Sequence, residues 1–121
     1  MKPSTPFDAL EKIFHEPNRL AIMSALCAAE KGLTFNTLRE QCGLTDGNLN
    51  RHLKVLEDAE AIRIRKEFVK NKPQTTVFIS TVGLSRFEDY LVALQQVLTT
   101  AQQGLQMESK QTAPAGRTVM V

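Results

Sequence analysis

Side chains that could recognise a partner lie in the stretch TDGNLNRHLKVLEDAEAI, which begins at Thr45. At the helical angle of about 100° per residue, Leu49, Leu53 and Leu56 share one stripe of a helix predicted over about residues 45–58. Its opposite side carries a small residue, then amides, then cations: Gly47, Asn48, Asn50, Arg51 and Lys54. Amide and guanidinium groups can pair with the edges of DNA bases, and an ammonium can meet a phosphate. A solvated helix without any partner would show the same two sides, so the flanking sequence has to decide.

A shorter helix is predicted immediately upstream, in LTFNTLREQCGL. Thr34 can accept a backbone N–H of its first turn, and Phe35 and Leu38 would face the core. Gly43 supplies the left-handed residue that commonly ends a helix, which leaves only Leu44 before the next helix begins. Two helices joined by a short turn containing Gly are typical of a helix-turn-helix.

A β-hairpin is predicted downstream, over about residues 61–80. Isoleucine and arginine alternate in IRIR, from Ile62, with the period of a strand. KNKP, from Lys70, has turn chemistry, and VFI, from Val77, supplies a return strand. A helix-turn-helix followed by a hairpin with a basic tip is a winged helix, so we predict a mainly α fold with a small β-hairpin.

Three motifs occur in the order found in a known family. EPNRLAI, from Glu16, is similar to the "D-P-x-R-x-x-I" opening of that family's second helix. LNRHLKVL, from Leu49, resembles its recognition helix running towards a wing at Ile62, and ISTVG, from Ile79, resembles the "L-T-x-x-G" junction between wing and last helix. Over about residues 7–98 the chain resembles the small bacterial and archaeal winged-helix transcriptional regulators of the ArsR/MarR superfamily.

The resemblance implies that the recognition helix enters the major groove of DNA and that the basic wing lies on phosphate or in the minor groove. It also implies a one-bridge strand at Leu33, paired with the wing. The family usually has Gly between the recognition helix and the first wing strand, where this chain has Glu60. A positive φ at Glu60 would cost about 1 kcal/mol, and a looser join is the alternative.

A long last helix is predicted over about residues 81–105, with Ser80 as its N-cap. Leucines recur every seven residues and a second apolar set interleaves with them, in the a/d pattern of a coiled coil. These residues are Leu84, Phe87, Leu91, Leu94, Leu98, Ala101 and Leu105. A helix of this length would reach about 36 Å, beyond what a small winged core covers. We therefore predict a homodimer seam, the alternative being that the stripe packs only on the chain's own first helix.

The remaining sequence predicts one domain over residues 1–105. Thr5 and Pro6 would begin a first helix with Phe14 on its apolar face, and Pro17 would begin a second, mostly buried helix. After Gly104 no sustained period is visible, so we predict a mobile tail over residues 106–121.

Composition narrows the setting in which the protein works. The chain has 121 residues and a net charge of +2, so a nucleic-acid footprint would have to come from local clustering. Seven cations do cluster within about twenty residues: Arg51, Lys54, Arg63, Arg65, Lys66, Lys70 and Lys72. No apolar run could span a bilayer, and MKPSTPFDAL lacks the apolar core of a signal peptide. We interpret Cys27 and Cys42 as reduced core residues of a cytoplasmic protein.

Enzyme chemistry finds little support, because no Gly-rich phosphate loop or paired-carboxylate setting is present. We predict no enzyme, no cofactor and no metal site. His52 is interpreted as a half-buried packing residue that hydrogen-bonds near the wing root. A metal-responsive sensor of the ArsR type is an alternative, but it would have only Cys42, Glu88 and Asp89 as candidate ligands on the relevant helices, too few for a soft thiolate site.

The favoured hypothesis is a DNA-binding transcriptional regulator that acts as a homodimer on a pseudo-palindromic operator, with a small-molecule effector as a further candidate partner. The base-reading residues would be Gly47, Asn48, Asn50 and Arg51. The backbone and wing contacts would be Thr45, Lys54, Arg63, Arg65, Lys70 and Lys72. The alternative is a winged-helix module whose basic face binds another protein.

Overall fold

The computed structural model describes residues 5–111, which form four α-helices and a three-stranded antiparallel sheet. The helices and strands are α1 Pro17–Cys27, β1 Leu33–Thr34, α2 Phe35–Cys42, α3 Asp46–Asp58, β2 Ile62–Val69, β3 Lys72–Ile79 and α4 Thr81–Gln111. The strand order in the sheet is β1-β3-β2, and a short 3₁₀ turn, Pro6–Ala9, precedes α1. The predicted winged helix is confirmed, and α3 and the β2–β3 hairpin occupy the predicted spans.

The wing is a regular hairpin closed by a two-residue turn. Its register runs from Ile62 opposite Ile79 to Val69 opposite Lys72. Lys70 and Asn71 both have positive φ, 54° and 66°, as in the type I′ turn, whose twist matches that of a hairpin. Leu33 pairs with Val77 as the short third strand that the resemblance implied.

One core lies beneath α3 and the sheet. Apolar side chains from every element except β1 are buried in it: Phe14, Ile22, Met23, Leu26, Leu38, Leu49, Leu53, Leu56, Ile62, Val77, Phe87 and Tyr90. The three leucines of α3 therefore face inward as the spacing predicted, which turns the opposite side of that helix to solvent.

Helix ends carry the predicted caps. The Thr34 and Thr45 hydroxyls each accept a backbone N–H, from Thr37 and Asn48, at 3.2 Å. Gly43 ends α2 with a φ of 66°. These caps fix where α2 and α3 begin and where α2 ends.

The exit from α3 is a tight Schellman turn. The Ala61 N–H donates to the Leu56 carbonyl and the Glu60 N–H to the Glu57 carbonyl, both at 2.9 Å. Glu60 therefore takes the left-handed conformation, with a φ of 64°. Of the two joins considered from the sequence, the strained one is present.

Two expectations about the N-terminal half were wrong. The first helix is only the 3₁₀ turn Pro6–Ala9, followed by turns up to residue 16. An isolated short helix gains little, and Phe14 instead packs at 5.3 Å from Phe87 and 5.9 Å from Tyr90, between ring centroids. Cys27 is exposed and Cys42 half-buried, so Cys27 is not a core residue.

α4 continues to Gln111, six residues beyond its predicted end, and residues 112–121 of the predicted tail lie outside the described residues. The apolar stripe of α4 is also divided. Phe87 is buried in the chain's own core and Leu94 packs against it, so the assignment of Phe87 to a dimer seam was wrong.

Within residues 5–111 no helix is long and apolar enough to cross a bilayer.

Candidate nucleic-acid interface

The outward side of α3 presents all four proposed base-reading residues to solvent. Gly47, Asn48, Asn50 and Arg51 are exposed, whereas the three leucines of the helix are buried. An Arg51 Nη donates to the Asn48 Oδ1 at 3.2 Å. This contact across one helical turn brings the guanidinium and an amide together as one hydrogen-bonding surface near the start of the helix.

Gly47 is not required by the fold. It lies in the first turn of α3, and a Cβ at this position would meet no other atom within 4 Å. Alanine would ordinarily be preferred in a helix by about 1 kcal/mol. The small residue leaves an open surface on which another molecule's atoms can approach the backbone closely.

A surface ion pair links the last turn of α2 to the first turn of α3. An Arg39 Nη of α2 lies 2.7 Å from the Asp46 carboxylate in the first turn of α3 and 3.2 Å from the Asn36 Oδ1. Asp46 at this position also complements the positive end of the α3 dipole. The pair orients the helix end that carries Gly47 and Asn48.

His52 lies on the inward side of α3 and is 2% exposed. Its Nδ1 lies 3.1 Å from an Arg19 Nη and its Nε2 lies 3.4 Å from the Asn18 amide. Burial lowers the pKa of His52, and the positive charges of Arg51 and Arg19 lower it further, against the Glu16 carboxylate. The prediction of a half-buried residue bonded near the wing root was therefore wrong, because its partners belong to α1 and to the turn before it.

Glu16, which is half-buried, completes this polar group as the N-cap of α1. Its carboxylate accepts the Arg19 backbone N–H at 2.8 Å and lies 3.9 Å from the His52 Nδ1. Although partial burial opposes ionisation, the Arg19 N–H and the charges of His52 and Arg19 lower the pKa of Glu16. The EPNR motif thus forms a polar contact that joins α1 to the back of α3.

A cleft of about 450 Å³ separates α3 from the wing. Asn50 and Lys54 line it from α3, and Lys66 and Thr75 line it from the two strands. Lys66 belongs to the basic cluster but was not among the predicted site residues. Strand alternation counted from buried Ile62 would have placed it on this side.

The other predicted cations of the strands lie on the opposite face of the wing. Arg63 and Arg65 line a shallow depression with Phe78, and the Arg65 guanidinium lies 4.7 Å from the centre of that ring. Arg65 is also 3.2 Å from the Glu67 carboxylate. Lys72 shares this face because it pairs with Val69. The wing therefore has Lys66 on the side towards α3 and Arg63, Arg65 and Lys72 on the side away from it, and Lys70 lies in the turn.

Few of these cations are neutralised within the protein. Lys54 lies 3.5 Å from the exposed Asp58 carboxylate, a pair worth little in water. Among residues 5–111, no carboxylate lies within 4.0 Å of Arg51, Arg63, Lys66, Lys70 or Lys72. Their positive charge is left available to an anionic partner.

The model of one protein family, the winged helix DNA-binding domain, matches residues 18–98. The chain belongs to this family. The matched residues contain the α2–α3 pair, the whole wing and the first half of α4. The predicted resemblance to winged-helix regulators is thereby confirmed.

Relatives of this winged helix domain agree with the assignment. An uncharacterized protein of Methanocaldococcus jannaschii is 35% identical over 86 residues, which span 71% of this chain and 92% of the relative. The structure of a transcriptional regulator homologue from Pyrococcus horikoshii OT3 is similar with a TM-score of 0.72 and 27% identity, over 78% of this chain and 94% of that one. The S. aureus MepR–DNA complex shares the fold, with a TM-score of 0.65, 17% identity and coverage of 86% and 84%.

In the winged helix domain, potential metal ligands are scattered. Across residues 5–111 no three His, Cys, Asp or Glu side chains are grouped as a metal site would require. Partial burial raises the pKa of Cys42, and at the exposed Cys27 the partial loss of water around the thiol, with the negative charge of Glu88, raises the pKa. Both thiols are thus biased away from the thiolate form that binds metal.

Proposed function

We propose that this winged helix domain is a sequence-specific transcriptional regulator that binds duplex DNA as a homodimer. In this proposal α3 lies in the major groove and the wing lies on the flanking backbone and minor groove. The absence of a side chain at Gly47 lets the DNA approach the α3 backbone. Base edges are read by Asn48, Asn50 and Arg51, and the cations bind phosphates. The structure of MepR, which has the same fold, is that of a DNA complex, and this supports DNA as the partner.

One observation carries the proposal: an exposed face of Gly, Asn and Arg on α3 lies beside a hairpin on which four of the five cations have no carboxylate within 4.0 Å among the described residues. Phosphate contacts need only the cations, whereas base reading also needs planar groups with paired donors and acceptors. A module that binds an acidic protein would need the cations but would have no use for the open position at Gly47. The combination therefore favours DNA.

α4 supports the homodimer. Leu84, Leu91, Leu98 and Leu105 are 41–67% exposed and recur every seven residues along one side of the helix. Every residue from 100 to 107 is exposed, so the end of α4 extends beyond its own domain. A helix end with no tertiary contacts is marginal in water, and a second α4 packed along the leucines would stabilise both. Leu94 and Ala101 would border that seam.

Selection of bound duplexes from a random pool, followed by titration of a selected and a scrambled duplex, tests the function. Enrichment of an inverted repeat with half-sites about 34–36 Å apart, or a multiple of that, would match a two-fold dimer. A parallel selection with added cell extract would report release by a small-molecule effector. If the selection enriches no sequence and the protein binds no duplex more tightly than scrambled DNA, a protein partner for the basic face becomes the favoured alternative.

Gly47→Ala is an informative variant for the same titration. The fold has room for the methyl group, so the variant should be at least as stable as the wild type. If the α3 backbone approaches the bases, the methyl group should nevertheless weaken binding to the selected duplex. Unchanged binding would remove Gly47 from the reading surface.

A further inference from the structure

Phe68 is the most exposed large hydrophobic side chain among residues 5–111, at 76%. It lies on β2 two positions beyond Lys66, and strand alternation puts both on the face that begins with buried Ile62. The apolar face of the strand thus continues past the core to the tip of the wing. Phe68 faces the side of the hairpin that, with α3, encloses the cleft lined by Lys66.

The hairpin itself gives no evident reason for an aromatic ring here. The residue opposite Phe68 is Pro73, which is exposed and lacks a backbone donor. The turn beyond it is closed by the positive φ values of Lys70 and Asn71. A single exposed apolar side chain is common on a protein surface, so the charges around the ring, rather than its exposure alone, indicate a partner.

The surroundings of Phe68 identify the partner by charge. Lys66 shares the face of Phe68 and Lys70 lies in the turn two residues beyond it, whereas Glu67 points to the opposite face, where Arg65 contacts it. The buried centres of protein–protein interfaces are depleted in charged residues, which does not fit a ring flanked by lysines. Such a ring suits a polyanion with apolar surface between its charges, and duplex DNA offers deoxyribose rings and base edges between phosphates.

We infer that Phe68 is a DNA contact of the wing, with its ring in the minor groove and Lys66 and Lys70 on the bordering phosphates. The inference rests on the proposed function. Beyond Ile64 the strand continues for five residues, about 17 Å, towards the groove next to the one that α3 would occupy. The minor groove of undistorted DNA is only about 6 Å wide, which admits one side chain without the widening that a whole two-stranded ribbon would require. Apolar side chains in this groove are a known means of deforming DNA.

The salt dependence of binding tests the inference, with a duplex selected by the wild-type protein as the probe. A ring releases no counterions, so Phe68→Ala should lower affinity about 5- to 20-fold and leave the slope of log K against log salt unchanged. Lys70→Ala should lower both affinity and slope. Val69→Ala is the matched control, because Val69 is a partly exposed apolar neighbour on the other face; it should bind within about twofold of the wild type.

A minor-groove ligand of the netropsin type tests the groove. It should weaken the wild type and have little effect on Phe68→Ala. Equal affinities of wild type and Phe68→Ala would overturn the inference and leave the proposed function intact, whereas no binding by the wild type would overturn both. A competitor that weakens both proteins equally would place the ring outside the minor groove. Loss of binding to anionic vesicles in Phe68→Ala, with DNA binding intact, would assign the ring to a lipid surface instead.

Thermal unfolding of the same variants separates contact from folding. Because the Phe68 side chain is mostly exposed, its removal deletes few packing contacts of the fold, so Phe68→Ala should unfold within a few degrees of the wild type. Phe68→Leu should restore part of the DNA affinity because it restores apolar area. A loss of DNA affinity that is matched by loss of the folded state, and that Phe68→Leu does not reverse, would count against a direct contact.

Discussion

The Nδ1 of His52 on α3 lies 3.1 Å from an Arg19 Nη on α1, with His52 almost fully buried. A guanidinium can only donate, so the ring nitrogen that faces it has to accept. The neutral imidazole fits this contact, whereas a protonated ring would oppose a second positive charge. The back of the proposed recognition helix is thus held by a bond that exists in one protonation state.

Stability should fall as the pH drops below about 6.5, the ordinary pKa of histidine. Because the pKa is lowered in the folded state, the unfolded chain takes up this proton at a higher pH than the folded chain does. The stabilisation is therefore complete above about pH 6.5 and is lost as the pH falls from 6.5 through the lower pKa of the folded state. Urea unfolding at several pH values from 5 to 8 measures how the free energy of unfolding changes with pH. Glu16, whose pKa is lowered, titrates below this range. His52→Gln should be less stable at pH 8 and lose most of that pH dependence. If His52→Gln keeps the full pH dependence, that dependence belongs to other groups. The control is His15→Gln, which replaces the other histidine of the chain.

Replacement of Gly83 by alanine should destabilise the fold by about 2–3 kcal/mol. A Cβ on Gly83 would collide with the Ala61 carbonyl, whose carbon would lie 2.7 Å away. The collision is with backbone that is itself held by the Ser80 N–H, 3.1 Å from the Ala61 oxygen. Gly104→Ala, in open space on the same helix, should instead be stabilising by about 0.5–1 kcal/mol. Urea midpoints compare the two, and equal effects would contradict the close approach.

Arg51→Ala should cost about 1–3 kcal/mol on a selected duplex and little on scrambled DNA, because its fork can pair with guanine. Lys72→Ala should weaken both duplexes similarly and, in a dimer, remove about two units from the salt slope. Titration of both duplexes at several salt concentrations measures each effect. An equal loss on both duplexes for Arg51→Ala would make Arg51 a phosphate contact.

Light scattering at micromolar concentration should give the wild-type protein twice the 13.5 kDa mass of one chain. Lysine at both Leu91 and Leu98 would put charges on the exposed leucine stripe without touching the core, and should yield a monomer with weak DNA binding. Gln96→Lys, exposed on another side of α4, should remain dimeric. A wild-type protein of monomer mass would remove the seam from the proposal.

Local signals in the sequence were sufficient for much of the fold. The Thr34 and Thr45 caps, the left-handed Gly43 and the leucine spacing of α3 each involve residues within a few positions of one another. Side chains on opposite sides of a helix are separated by its period alone, so the exposure of Asn48 and Arg51 could be predicted without tertiary information. The wing followed from strand alternation and turn chemistry in the same way.

Strand alternation also divides the cations of the wing between two faces. Counted outwards from Ile62, it puts Lys66 and Phe68 on the side of the wing towards α3, and Arg63 and Arg65 on the other. The sequence predicts this division of faces once one buried residue is known. Grouping all the wing cations as one surface overlooked it.

Tertiary structure alone decided the contacts between residues far apart in the chain. The stripe on α4 does not say which apolar residues face their own domain; Phe87 turned inward because Phe14 and Tyr90 meet it there. Arg86 likewise joins the Glu11 carboxylate, at 2.7 Å, to the Ala59 carbonyl, at 2.8 Å, and the pairing of His52 with Arg19 spans 33 positions. Periodicity determines which side of a helix is apolar, but the free energy of packing the whole chain determines what that side touches.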